Sequence, residues 1–146
     1  MAEEIAEGVN IDQVQALLVE HGCEAEVSGE NLLRIHDLDS GITLHAVLED
    51  NILFCSVTCM TVSSDKITPE VMRKMLAADN GISTSAFQLY DQGNGRFAVT
   101  LNNFCKLLAM GPDDEDDIIS CLEFLAIDVY AARDLLQGDD RLNSGE

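Results

Sequence analysis

Residues Asp113 to Leu136 read DDEDDIISCLEFLAIDVYAARDLL, and this stretch decides the fold. At helical spacing, Ile118, Leu122, Leu125, Val129, Ala132 and Leu136 fall on one continuous apolar stripe. Phe124, Ile127 and Leu135 fall outside it, so a second apolar patch needs a second surface to cover it. The same helix of another copy of the chain is the simplest cover, which makes these three the expected dimer interface. The five acids Asp113 to Asp117 sit over the helix N-terminus, where each negative charge is favoured by about 0.3–1 kcal/mol at low salt. They are read as solvated charge, because side chains 100° apart around a helix do not converge on one ion.

Outward from that helix, the remaining chain alternates between the two periods. A first helix runs from about Ile11 to His21, capped by Asn10 or Asp12 and ended by Gly22. Period-two stretches follow at Cys23–Val27, Asn31–Leu38, Ile42–Glu49 and Ile52–Val62, separated by turns at Ser28-Gly29, Asp39-Ser40-Gly41 and Asp50-Asn51. In the last strand Leu53, Cys55, Val57 and Cys59 share a face, and Phe54, Ser56, Thr58 and Met60 lie opposite. The outer face is less polar here, which makes Phe54 and Met60 the expected partner-binding residues. Thr68, Pro69 and Glu70 open a second helix ending at Asn80-Gly81. A hairpin joins Ala86–Tyr90 to Arg96–Leu101 through Asp91–Gly95. Residues 104–110, FCKLLAM, fit either a continued strand or a helical turn. Residues 1–9 and the tail from Gly138 are polar and expected to be frayed.

The order α-β-β-β(-β)-α-β-β-α predicts an α+β, two-layer fold: an antiparallel sheet with helices. The length of 146 residues suits one domain, 1–146, with an ordered core over about 10–137.

The net charge is −19. Residues 1–30 hold eight acids and no Lys or Arg, 31–112 eight acids and six bases, and 113–146 eleven acids and two bases. Such acidity repels nucleic acid and anionic membrane and suits a basic or amphipathic protein segment. No basic leader or long apolar run is present, and five cysteines without a signal suggest reduced thiols in a cytoplasm.

Motifs for chemistry are sparse. Asp91–Gly95 lacks the oxygen ligands of a calcium loop, and Asn94-Gly95 is a hairpin signal. Cys55 and Cys59 stand about 13 Å apart along a strand, too far for one metal or a disulfide. Cys55, Cys59 and Cys121 read as small core residues, with Cys23 or Cys105 more exposed. No CxxC, GxGxxG or P-loop occurs, so no metal, cofactor or catalytic residue is assigned. The alternative is a small-ligand or metal sensor, or an enzyme, built from His36, His45 and a cysteine on neighbouring strands.

The order of elements, with strands Asn31–Leu38, Ile42–Glu49 and Ile52–Val62, helix Thr68–Asn80 and the hairpin to Leu101, resembles the type III secretion chaperone-like (YbjN-like) fold. The strand pair TLHAVLEDNILFCSVTCM and the junction LLAMGPDDEDD look most like the YjfI-like family of uncharacterised bacterial proteins. This resemblance implies a small acidic homodimer that binds an extended protein segment on an outer sheet surface and a helix. Charge and the two-sided helix point the same way: a non-enzymatic, cytoplasmic, homodimeric protein-binding module, chaperone-like or regulatory.

Overall fold

Thr68 and Asn10 show how closely local chemistry sets the helix starts. In the computed structural model, which describes residues 9–137, Asn10 and Gln13 form a reciprocal capping box for α1 (Ile11–Glu20). The Thr68 hydroxyl accepts from the Val71 N–H, and Pro69 opens α2 (Pro69–Leu76). The ends read as frayed lie outside the described residues.

The strands are β1 (Cys23–Gly29), β2 (Leu32–Asp37), β3 (Thr43–Glu49), β4 (Ile52–Ser63), β5 (Ala86–Asp91) and β6 (Arg96–Lys106), followed by α3 (Pro112–Gln137). They form a six-stranded sheet in the order β1-β2-β3-β4-β6-β5, with the registered pairs antiparallel. The fold is thus α+β.

Three boundaries differ from the sequence reading. The first turn falls at Asn31 rather than Ser28-Gly29, because β1 continues through a bulge between Val27 and Gly29. Asn31 takes φ 57°, a left-handed conformation that asparagine tolerates better than most residues. Helix α2 stops at Leu76 rather than Asn80, since Ala77 is extended and the Asn80 amide donates back to the Met75 carbonyl at 2.6 Å. Finally, β6 runs to Lys106, so Phe104 and Cys105 are strand residues.

The chain gathers into two compact units, through both of which β4, β6 and α3 run. The first comprises residues up to Ser56 together with Asn103–Glu123. Its core joins Val14, Leu17 and Leu18 of α1 to Leu33, Ile35, Leu44, Leu53 and Cys55 on the inner sheet face, with Ile118 and Leu122 of α3. Each of the Val, Leu and Ile side chains contributes about 1.5–3 kcal/mol of hydrophobic stabilisation. The second unit comprises Val57–Asn102 and the chain from Phe124. Here Val71 and Met75 of α2 pack with Val99 and Leu136, and Met60, Val62, Phe87 and Leu89 lean on that cluster. All six residues of the apolar stripe on α3 are buried.

Two acids of α3 are also buried. Asp114 does not stand in solvent as the acidic run suggested. It is 3% exposed, and its Oδ2 accepts from the N–H groups of Leu108, Ala109 and Met110 at 2.7, 3.0 and 2.8 Å. The carboxylate fastens the turn leading into α3. In the second unit Asp128 accepts from the Ser83 N–H and hydroxyl at 3.1 and 2.9 Å and from the Ser85 N–H at 3.4 Å.

Candidate functional site

Alternation along the strands of the first unit sends two kinds of residue outward. Register places Leu32 opposite Val47 and Val47 opposite Phe54. On β6, the next strand in the sheet, Phe104 stands with its ring centroid 6.2 Å from that of Phe54, the planes tilted by 36°. An apolar row, Leu32–Val47–Phe54–Phe104, thereby crosses four strands. Leu32 and Val47 are half-buried, Phe54 is 43% exposed and Phe104 is 62% exposed.

A parallel row is polar: Glu26 faces Arg34, Arg34 faces His45, and His45 faces Ser56. The surface therefore offers contact area through the two rings and a mixed-charge border along one side. Two exposed phenylalanines that touch each other keep part of their area from water while leaving their faces open to a partner.

Phe54 lies where the sequence reading put it, on the outer face of β4. Phe104 was missed. The signal was available: Phe97, Val99 and Leu101 alternate inward, and carrying that period through Asn103 to Cys105 sends Phe104 outward. Met60 belongs to the second unit, half-buried against the Val71, Met75, Val99 and Leu136 cluster. On α3, Phe124 is 40% and Ile127 62% exposed, and Leu135 is half-buried.

His36, His45 and the cysteines are not brought together. His36 points outward, its Nδ1 3.0 Å from the Thr43 hydroxyl, and His45 is exposed on the same face. Cys55, Cys105 and Cys121 are buried on the opposite side of the sheet, with Cys105 only 9% exposed rather than open to solvent. Among the described residues no three His, Cys, Asp or Glu side chains group in a way that could hold a metal ion. One cavity of about 180 Å³ in the first unit is bordered by His21, Cys23, Asp37, Asp39 and Glu123.

All five cysteines are free thiols. Burial pushes Cys59 up to about 11, and a hydrogen bond with Cys121 together with burial raises Cys105. Thiolate is the reactive form, so these groups are protected twice, by access and by protonation. Native-state alkylation at pH 8 with mass-spectrometric mapping is expected to modify half-buried Cys23 first, and slowly, because burial and the neighbouring Asp37 and Asp39 raise its pKa too. The other four are expected to react only on unfolding; rapid labelling of Cys105 in the native protein would refute this.

With this geometry established, comparison with known proteins bears on the fold. No family model and no curated relative matches the chain. Solved structures do match, among them the crystal structure of YbjN from E. coli, a protein proposed there to be a transcription regulator. The likeness covers 85% of this chain and 91% of YbjN, with a TM-score of 0.65 and 15% identity. At that identity it speaks for the fold. The chain has a YbjN-like fold.

Among the described residues no helix is long and apolar enough to cross a membrane.

Proposed function

We propose that this chain is a non-enzymatic protein-binding module, chaperone-like or regulatory, that works in the cytoplasm as a homodimer and belongs with the YjfI-like proteins. The observation that carries the reading is the Leu32–Val47–Phe54–Phe104 row, an apolar band on an open sheet face. Aromatic side chains, phenylalanine among them, are enriched in protein–protein interfaces relative to the rest of the surface. The net charge of −19 selects against nucleic acid and anionic lipid and in favour of a basic amphipathic segment, whose apolar side would lie on the two rings. The proposed regulatory role of YbjN, which shares the fold, agrees with a module that acts by holding another protein.

The test compares the wild-type chain with Phe54→Asp and Phe104→Asp in solution, and measures binding of a panel of fluorescently labelled basic amphipathic peptides by fluorescence anisotropy. Either substitution is expected to weaken binding at least tenfold; Phe104→Asp, at a 62% exposed position, should leave the melting temperature nearly unchanged, and Phe54→Asp, at 43%, should lower it modestly. Met60→Asp should behave differently. Its side chain leans on a core cluster, so stability is expected to fall along with binding. Peptide affinity unchanged in both phenylalanine variants would remove the outer sheet face from the reading.

A further inference from the structure

The chain contains two Asn-Gly steps, Asn80-Gly81 and Asn94-Gly95. Such a step is chemically labile, because glycine has no Cβ to shield its amide nitrogen from the side-chain carbonyl carbon beside it. In this fold the two steps are built alike in most respects. Both glycines are left-handed, with φ 87° at Gly81 and 81° at Gly95, and a Cβ added to either would meet nothing within 4 Å. Each asparagine Oδ1 accepts the N–H two residues on, from Ile82 at 2.9 Å and from Arg96 at 3.2 Å.

They differ at the nitrogen that would leave. Asn80 is half-buried, and its Nδ2 donates to the Met75 carbonyl at 2.6 Å, which ties the side chain to the end of α2. Asn94 is exposed in the turn between β5 and β6, and among the described residues nothing receives its Nδ2 or the Gly95 N–H. At this step the nucleophile can lose its proton to solvent and the leaving group can enter it. The Arg96 N–H meanwhile draws electrons from the carbonyl carbon to be attacked.

We propose that Asn94 is a site of spontaneous covalent modification, deamidating through a succinimide, and that the Met75 bond holds Asn80 intact. The Gly95 nitrogen gives up its proton and bonds to Asn94 Cγ. The bond from Cγ to Nδ2 breaks, and Nδ2 departs as ammonia. Water then adds to either carbonyl of the five-membered ring and opens it to aspartate or to isoaspartate. One water enters and one ammonia leaves, with no change in oxidation state. Both products add a carboxylate to the hairpin turn, and isoaspartate also adds a carbon to its backbone. That turn is tied to the end of β4, since Gly95 carbonyl accepts from the Ser64 N–H at 2.8 Å and the Arg96 guanidinium donates to the Thr61 carbonyl at 3.1 Å.

The test needs one peptide. Trypsin releases Met75–Arg96, which carries both asparagines, so mass-spectrometric fragmentation compares them in the same digest. After incubation of the native chain at pH 8, conversion is expected at Asn94, with Asn80 slower by about tenfold, a factor within the net strength of one hydrogen bond. In urea, where the Met75 bond is lost, the two rates should come together. Asn94→Gln, which would have to close a six-membered ring, is expected to abolish the product at this position while leaving Asn80 as it was. Equal rates at the two positions in the native chain, a faster reaction at Asn80, or an intact Asn94 where the urea sample converts would each overturn the proposal.

Discussion

Replacing Asp128 with asparagine is expected to destabilise the protein by about 2–3 kcal/mol at pH 7, the size typical of losing hydrogen bonds to a buried charged group. The amide keeps the shape but has one acceptor oxygen where the carboxylate has two, so the Ser83 and Ser85 donors cannot all be met. The pH dependence distinguishes this from a packing defect. Burial pushes the Asp128 carboxyl up, while hydrogen bonds from Ser83 and Ser85 pull it down, and the hydrogen bonds win: it lies below its ordinary value of 3.8. The folded state therefore binds this proton less tightly than the unfolded state. Its contribution is fully present above the ordinary value and is lost as pH falls through that value and then through the lower folded one. Urea denaturation of the wild type and Asp128→Asn should give midpoints that differ clearly at pH 7 and converge on acidification toward pH 3. A gap independent of pH would show that the carboxylate charge is not what holds the Ser83–Ser85 segment.

The second large effect is expected at Asp114. One carboxylate oxygen gathers three consecutive amides, Leu108 to Met110, in a turn where Met110 has φ 57°. Bonds to an ionised acceptor are worth roughly twice neutral ones. Alanine at this position leaves three donors to find water, at a cost of about 2–4 kcal/mol. Asp113→Ala, one residue earlier and exposed, should cost only the helix-terminus interaction, under about 1 kcal/mol. Thermal denaturation of the two variants side by side measures the contrast. Equal losses at both positions would mean that the acidic run acts as a diffuse charge and not through one anchored group.

That contrast was legible only in part. Within DDEDD, Asp114 stands four residues before Ile118 and so continues the apolar stripe, but no spacing names the three amides of residues 108–110 that it gathers. Asp128 was less visible still, because its partners Ser83 and Ser85 are 45 and 43 residues away. Cys105 was read, as the alternative to Cys23, as a more exposed thiol while the end of β6 was undecided. Once Phe104 and Cys105 are strand residues, alternation turns the first outward and the second into the core. Half of the aromatic surface was thus legible from the start, through Phe54, and the other half waited on three residues of strand extension. Helix α2 fell short of Asn80 for a related reason. Asn80 was read as a residue past the end of a longer helix, whereas its side chain reaches back to the Met75 carbonyl and closes the helix a turn earlier.

The chain's own periodicities determined the element types, the buried stripe of α3 and the inward and outward faces of β2 to β4. Each of these follows from residues within about two turns of one another, and burial enforces it wherever one face must leave water. Tertiary structure alone decided that Asp114 gathers the amides of residues 108–110, that Asp128 is buried against Ser83 and Ser85, and that Phe104 meets Phe54. Those outcomes depend on partners brought close by folding, and a one-dimensional pattern carries no record of which distant group satisfies a buried charge or covers an exposed ring.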